Sequence, residues 1–319
     1  MRLDRRGVLA GMAALPLAAR AQDKYPSKPL TLVVPFDAGG GTDQVGRAFA
    51  EALKAQLGQP IAVQNIGGAG GAVGLTRLSG MAADGYTLGM GGGFLVSASL
   101  RGALKLPANE FSHLARLSQE AFVLGVPAAS PLKTMQDFLA AARAKPEAVS
   151  IGTAGAGALT HLAAQALGDA AKAKLNIVHF AGGAKLLTAV LGAHADAGVF
   201  SQVEVLPQLN QPNGVRVLAT FTRAPSAKLP GVPTLASLGL GGVPEGPWQG
   251  VLAPKGLPGP VRAVLAGAVA KAQSDPQWLA FLDKNGLAPS PLTGAAYDTF
   301  LEDEVKTIGA LLKAVGLSQ

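Results

Sequence analysis

The sequence predicts an α/β fold of two lobes, each built on a helix-flanked, mostly parallel sheet. β-rich apolar runs alternate with stretches of helical period through residues 30–90, and this alternation resumes near residue 115. Proline-rich Arg223–Pro233 then interrupts the pattern, since proline continues neither a strand nor a helix. Too few strands follow for a third domain, so we expect the C-terminal part to return to the first lobe.

The first lobe opens with a β-α-β-α-β succession. Apolar runs predict strands at Leu30–Phe36, Ile61–Ile66 and Tyr86–Met90. Between them, Asp43–Leu57 places its apolar residues on one helical face, and a helix of small residues is expected at about Gly71–Ala82. This order is typical of a parallel sheet with helices on both faces.

The second lobe repeats this alternation. Its first helix begins at Thr134, where Asp137 completes a capping box. Further helices are expected at Leu159–Ala171 and Ala184–Leu191. The expected strands are Ala121–Val126, Val149–Thr153, Asn176–Phe180, Ala195–Phe200 and Val215–Phe221.

The C-terminal part combines one strand with three helices. The strand is expected at Trp248–Ala253, and the helices at Pro260–Ser274, Pro276–Lys284 and about Tyr297–Val315. The predicted organisation is a first lobe at residues 22–118, a second lobe at 119–222 and a return to the first lobe at 223–319. Crossing segments are expected near residues 115–122 and 220–225. Two lobes joined in this way favour ligand capture by hinge closure.

The N-terminus has the pattern of a secretory signal peptide. Residues 1–21 contain Arg2, Arg5 and Arg6, an apolar stretch and the small-residue exit Ala19-Arg20-Ala21. The Arg5-Arg6 pair resembles a twin-arginine signal. Cleavage before Gln22 and a periplasmic destination are therefore expected.

Composition excludes several classes of protein. Charged residues are 15% of the 319 residues, and there is no cysteine. Removal of residues 1–21, with four arginines and one aspartate, changes the formal net charge from +7 to +4. No Lys/Arg-rich run accompanies this charge, so nucleic-acid binding is not expected. The uncharged run Gly85–Leu100 is too short and too rich in glycine for a membrane span.

Three glycine-rich turns each lie between a predicted strand and a predicted helix, at Pro35–Asp43, Gly67–Gly74 and Gly152–His161. Glycine allows close approach of a ligand to the backbone, and a helix N-terminus adds about half a positive charge. Such turns are candidate anion sites, although glycine also serves tight turns and helix–sheet packing. Neither the dinucleotide spacing G-x-G-x-x-G nor a P-loop is present.

Catalytic and metal chemistry lack support in the sequence. There is no G-x-S-x-G motif, and the histidines have no metal-ligand spacing. We therefore expect no enzyme, no catalytic residue, no metal and no cofactor. His161 is a candidate ligand contact because it follows the third glycine-rich turn. Asp43 has two interpretations, as a brace of the first helix or as a ligand contact.

Several of these segments resemble the Bug-type substrate-binding proteins of tripartite tricarboxylate transporters. The resemblance lies in Tyr25–Asp43, Gln64–Gly71, Asp84–Leu88, Gly155–Leu162 and Pro230–Thr234, and it extends over essentially the whole mature chain. It implies a two-lobed periplasmic-binding-protein-like fold that closes on a small organic carboxylate. It also implies a monomer that delivers this ligand to the membrane permease subunits of a tripartite transporter.

The resemblance also implies the residues of the binding site. One wall is expected to contain Phe36, Ala38, Gly39, Gly41, Thr42 and Asp43, and the opposite wall Thr153, Ala154, Gly155, Gly157 and His161. Gly92 and Phe94 are expected near the hinge, with Phe180 and Ser201 completing the site. The chain departs from many members at His179-Phe-Ala-Gly182 and Phe200-Ser201, where they carry Pro-Tyr-Lys-Gly and Asp-Ser. We therefore expect backbone N–H groups, hydroxyls and water to hold the carboxylate, between apolar walls of Phe36, Phe94, Phe180 and Phe200.

Two other functions remain open at this point. The protein could present its ligand to a membrane sensor kinase, and the sequence does not separate this role from transport. A periplasmic dinucleotide-dependent oxidoreductase is the alternative from another class, and the glycine spacing argues against it.

Overall fold

The computed structural model describes residues 25–317. The predicted signal peptide at residues 1–21 lies outside this range. Within it, no helix combines the length and the apolar character needed to cross a membrane.

Strands and helices alternate along most of the described chain. The strands are β1 (Leu30–Val34), β2 (Ile61–Asn65), β3 (Thr87–Gly92), β4 (Phe111–Gln119), β5 (Phe122–Pro127), β6 (Ser150–Thr153), β7 (Asn176–His179), β8 (Ala197–Ser201), β9 (Val215–Thr220), β10 (Trp248–Pro254) and β11 (Ala288–Leu292). The α-helices are α1 (Gly41–Leu57), α2 (Ala72–Ser79), α3 (Gly93–Leu100), α4 (Met135–Ala144), α5 (Leu159–Ala171), α6 (Gly183–Leu191), α7 (Gln202–Val205), α8 (Gly259–Ala272), α9 (Pro276–Asn285) and α10 (Gly294–Ala314). Short 3₁₀ turns occur at Ala69–Gly71, Leu206–Gln208 and Ala236–Leu238.

The strands form two sheets, which confirms the two-lobed α/β fold. The first sheet has the order β11-β4-β10-β3-β1-β2, and the second has the order β7-β6-β8-β5-β9. Strands joined by helical crossovers are parallel, as in β1–β2, β1–β3 and β6–β8. Strands that enter or leave a crossing segment, such as β5 and β10, pair antiparallel with their neighbours. Each sheet is therefore mixed rather than mostly parallel.

Both faces of the first sheet are covered by helices, as the continuous apolar strands require. Leu32 and Val34 of β1 point to one face and pack with α1, α8 and α9, where Phe49 meets Trp278 edge to face at 5.2 Å. Val33 points to the other face and packs with α2, α3 and α10. This alternation follows from the two-residue period of a strand.

The second sheet has the same three-layer arrangement. Leu124 of β5 packs with α4 and α5 on one face, whereas Val123 packs with α6 on the other. The predicted capping box at the start of α4 is present, with Thr134 and Asp137 bonding each other's backbone N–H groups.

Two crossing segments join the lobes and run side by side. The first is the β4–β5 junction, where Glu120 N–H donates to Pro247 O and Phe122 N–H donates to Glu245 O, each at 2.8 Å. The chain after β9 first packs on the second lobe, with Leu235 and Leu240 in its core. It returns to the first lobe at residues 245–248. We therefore propose that the second lobe extends to about residue 244 rather than 222.

Candidate ligand-binding site

A cavity of about 60 Å³ lies between the two lobes, beside the crossing segments. Its walls follow the carboxyl ends of β1, β3, β6, β7 and β8, the edge at which open α/β sheets bind ligands. The lining residues are Phe36, Gly40, Gly41, Thr42, Phe94, Phe122, Ala154, Ala158, Leu159, Thr160, Gly183, Ser201, Glu204, Pro247 and Gln249. A cavity of this volume holds roughly four to six water-sized groups, so it suits a small ligand.

Helix N-termini converge on this cavity from both lobes. Gly41, Phe94, Leu159 and Gly183 lie in the first turns of α1, α3, α5 and α6 respectively, and all four line the cavity. The first N–H groups of a helix have no partner within the helix, and a helix N-terminus carries a partial positive charge. Among the residues described, the lining set includes no Lys, Arg or His. Among these lining residues, the groups that favour an anion are therefore backbone N–H groups, hydroxyls and the Gln249 amide rather than basic side chains.

The glycine-rich turn at residues 35–43, here the first-lobe turn, is braced by Asp43. Asp43 accepts hydrogen bonds from Gly39 N–H at 2.8 Å, Asn65 Nδ2 at 2.8 Å and Arg47 Nε at 2.9 Å. Although burial opposes ionisation, the bonds from Arg47, Gly39 and Asn65 hold the pKa of Asp43 below its ordinary value. Asp43 is buried and lies outside the lining set, so the structure supports its role as a brace.

Glu204 of the second lobe reaches across the cleft to the same turn. Its Oε1 accepts Gly41 N–H at 2.8 Å, and its Oε2 accepts Ser201 N–H at 3.0 Å. Burial raises the pKa of Glu204, while the bonds from Gly41 and Ser201 act in the opposite direction. The Glu204 carboxyl group thus accepts the hydrogen bond of one N–H group at the α1 N-terminus, Gly41 N–H.

In the turn at residues 152–161, here the second-lobe turn, two backbone N–H groups are hydrogen-bonded to neutral side chains. Thr160 Oγ1 accepts Ala154 N–H at 2.9 Å, and His161 Nδ1 accepts Gly157 N–H at 2.9 Å. Burial lowers the pKa of His161 to about 4, with smaller effects from His179 and Arg101. His161 is therefore neutral near pH 7, and its proton lies on Nε2 because Nδ1 is an acceptor.

The two lobes contact each other at several points around the cavity. Ser97 Oγ of α3 donates to Gly157 O at 2.7 Å, and Lys185 of α6 forms an ion pair with Asp37 at 2.9 Å. Gly157 has φ +70°, and a side chain there would overlap Arg101. These contacts describe a closed cleft, in which glycine permits the close approach of the turns.

The crossing segments place two polar side chains at the floor of the cleft. Gln249 Nε2 donates to Glu120 Oε1 at 3.0 Å and to Thr42 Oγ1 at 3.3 Å. Within residues 25–317, neither Glu120 Oε2 nor Gln249 Oε1 has a hydrogen-bond partner, and both are buried. Burial raises the pKa of Glu120 to about 7, with Gln249 lowering it and Glu204 raising it further.

The structure brings together some of the residues expected from the sequence. The expected residues that line the cavity are Phe36, Gly41, Thr42, Phe94, Ala154 and Ser201. The expected residues outside the lining set are Ala38, Gly39, Asp43, Gly92, Thr153, Gly155, Gly157, His161 and Phe180. His161 and Gly157, both outside the lining set, bond each other within the second-lobe turn. Phe200, expected as an apolar wall, is fully buried in the core of the second lobe.

Sequence reasoning missed the polar residues contributed by the crossing segments and by α7. Glu204 and Gln249 line the cavity, and Glu120 lies behind Gln249. One signal was available, because Glu120 is a lone carboxylate between two apolar strands and buried charges are rare without a partner. The described residues contain no cluster of His, Cys, Asp and Glu able to hold a metal.

Two α/β lobes, joined by paired crossing segments with a cavity at their strand ends, define the class of two-lobed binding proteins. Residues 45–317 match the tripartite tricarboxylate transporter family receptor, and the chain belongs to this family. The resemblance found in the sequence is thereby confirmed.

Individual proteins of known sequence or structure are similar over nearly the whole chain. The "UPF0065 protein in gbd 5'region" of Cupriavidus necator is 33% identical, covering 99% of this chain and 98% of that protein. The structure of the periplasmic binding protein BugD has a TM-score of 0.87 at 26% identity, covering 92% of this chain and 99% of BugD. MatC of Rhodopseudomonas palustris with bound malate has a TM-score of 0.81 at 26% identity, covering 90% and 100% of the respective chains.

Proposed function

We propose that the protein is a periplasmic solute-binding protein that captures a small carboxylate between its lobes. On this proposal it delivers the ligand to the permease subunits of a tripartite tricarboxylate-type secondary transporter. The observation that carries the proposal is the convergence of four helix N-termini on one interlobe cavity. Backbone N–H groups and helix dipoles bind anions without a basic side chain.

Family membership and a relative's ligand support the proposal. The family is that of receptors of tripartite tricarboxylate transporters, and the similar protein MatC has malate bound. The cavity adds hydroxyl groups of Thr42, Thr160 and Ser201, which can donate to a carboxylate.

A thermal-shift screen of mono-, di- and tricarboxylates against the purified protein tests the proposal. Ligand at 100 times Kd stabilises the folded state by about 2.7 kcal/mol, which is a readily measured rise in Tm. Absence of stabilisation by any carboxylate would contradict the proposed function. Co-purification with transporter subunits from membranes tests the transport role separately.

A matched pair of glycine variants shows whether binding occurs in the interlobe cavity. A Cβ on Gly41 would lie 3.2 Å from Ser201 Cβ across the cleft, so Gly41→Val is expected to abolish the ligand-induced rise in Tm. Gly267 lies in α8 with no atom within 4 Å of such a Cβ, so Gly267→Val is expected to retain the rise. Equal ligand-induced shifts in both variants would place binding elsewhere.

A further inference from the structure

Part of the interlobe cavity is already taken by a carboxyl group of the chain. Glu204 is buried and lines the cavity. Its Oε1 accepts Gly41 N–H at 2.8 Å at the start of α1, and a Cβ on Gly183, at the start of α6, would overlap the same oxygen. Glu204 Oε1 therefore lies between two of the four helix N-termini, one from each lobe. The helix dipoles favour a carboxylate at such a position.

The N-termini of α3 and α5 lie against each other across the cleft. Ser97 Oγ of α3 donates to Gly157 O, close before α5, at 2.7 Å. A Cβ on Gly93, the first residue of α3, would lie 2.7 Å from the Cδ1 atom of Leu159, the first residue of α5. Among the lining residues that the structure describes, those of α3 and α5 include no Asp or Glu. The position that remains for a carboxylate of the ligand is therefore at these two N-termini.

The remaining walls of the cavity are mostly apolar. Phe36 and Phe94 meet edge to face at 4.9 Å. The lining also contains the apolar side chains of Phe122, Leu159 and Pro247. A carboxylate with a short aliphatic chain suits a volume of about 60 Å³, and burial of its chain against these walls is favourable.

We infer that Glu204 determines the specificity of the site, and that the ligand is a short monocarboxylate with an apolar chain. Glu204 supplies the carboxyl group at the N-termini of α1 and α6, and the ligand carboxylate faces those of α3 and α5. A second ligand carboxylate would either compete with Glu204 or lie among apolar side chains, and both are unfavourable in a buried site. This inference rests on the proposed function, and it adds the chemical class of the ligand.

Two pairs of acids matched in carbon skeleton test the inference: butyrate against succinate, and propionate against malonate. Isothermal titration calorimetry with the purified protein is expected to show the monocarboxylate binding at least about tenfold more tightly in at least one pair. This comparison uses the unaltered protein, so it does not depend on the folding of any variant.

Two substitutions of Glu204 connect this preference to its carboxyl group. Glu204→Ala opens space beside the N-termini of α1 and α6, so the preference for the monocarboxylate is expected to fall below about threefold. Glu204→Gln keeps the volume and removes the charge, so a smaller reduction is expected. Glu302→Gln, an exposed change on α10, is expected to retain the full preference. A general weakening of the fold would lower the affinity for both members of a pair and leave their ratio unchanged.

The outcomes separate this inference from the proposed function. If succinate and malonate bind as tightly as butyrate and propionate, the monocarboxylate assignment is wrong while carboxylate capture stands. The same holds if only acids outside these pairs bind. A monocarboxylate preference that Glu204→Ala and Glu204→Gln both leave unchanged overturns the role of Glu204. If no acid of either pair and none of the wider carboxylate panel binds, the inference and the proposed function both fail.

Discussion

The first-lobe and second-lobe turns occupy equivalent places in the two lobes, yet their backbone N–H groups are satisfied by different chemistry. In the first-lobe turn, carboxylates accept them: Asp43 bonds Gly39 N–H, and Glu204 bonds Gly41 N–H from the opposite lobe. In the second-lobe turn, Thr160 and His161 are neutral acceptors from the helix that follows.

This difference indicates that the two turns depend on different parts of the molecule. The N–H groups of Ala154 and Gly157 in the second-lobe turn are accepted by its own helix, although Ser97 of the first lobe also donates to Gly157 O. The first-lobe turn is completed by Glu204 only when the lobes are closed. Closure of the cleft and the electrostatics of the first-lobe turn are therefore linked, whereas the acceptors of the second-lobe N–H groups come from the second lobe itself.

The largest expected effect comes from disrupting the bridge made by Glu204. A Cβ at Gly183 would overlap Glu204 Oε1, so Gly183→Ala displaces the carboxylate from Gly41 N–H. We expect the free energy of unfolding to fall by roughly 2–4 kcal/mol, from overpacking and a lost buried bond. Denaturant unfolding measures this change. Gly267→Ala, in an open helical position, should instead stabilise by about 0.4–1 kcal/mol.

A smaller effect is expected when the acceptors of the two turns are removed one at a time. Glu204→Gln keeps one oxygen and loses a charge-assisted bond, which should cost about 1.5–3 kcal/mol of unfolding free energy. Thr160→Val removes the neutral acceptor of Ala154 N–H and should cost about 0.5–1.5 kcal/mol. Chemical denaturation of both variants measures the two losses of unfolding free energy. A larger loss for Thr160→Val than for Glu204→Gln would contradict the proposed difference between the turns.

The second-lobe turn should be the more sensitive to acid. The folded-state pKa of His161 is lowered by burial from 6.5 to about 4, so its contribution to stability is complete above pH 6.5 and is lost as the pH falls towards 4. The variant His161→Ala should therefore show a shallower fall of Tm over this range. Exposed His194→Ala is the control and should keep the slope of the unaltered protein.

The smallest effect is expected from the ion pair at the mouth of the cleft. Asp37 and Lys185 join the lobes at 2.9 Å but remain partly exposed, and such pairs contribute about 0.2–1 kcal/mol. Asp37→Asn should weaken binding of whichever carboxylate the screen identifies by at most about fivefold, less so at high salt. Asp303→Asn removes an exposed pair within α10 and should leave affinity unchanged. A larger loss with Asp303→Asn would contradict a role of the lobe contact.

Strands and helices whose apolar residues recur at a regular spacing were predictable from the sequence. Strands and helices without such a spacing were not. The strands at Leu30–Val34 and Ala197–Ser201 and the helix Gly41–Leu57 follow apolar patterns read directly from the chain. Buried α3 has no amphipathic period because its surroundings are apolar on nearly all sides. The edge strand β11 contains two prolines, which mask its pattern.

For the site, the sequence by itself determined the glycine-rich turns and their positions before helices. It also determined that the chain has Phe200-Ser201 where many similar proteins have Asp-Ser. These are local properties, since glycine and the period of apolar residues act within a few positions along the chain. Only the tertiary structure decided which groups accept the N–H groups of those turns and which acceptors remain free. Glu204 and Gly41 are 163 residues apart, and Gln249 and Glu120 are 129 apart. Contacts at such separations depend on how the lobes close, and no local pattern records them.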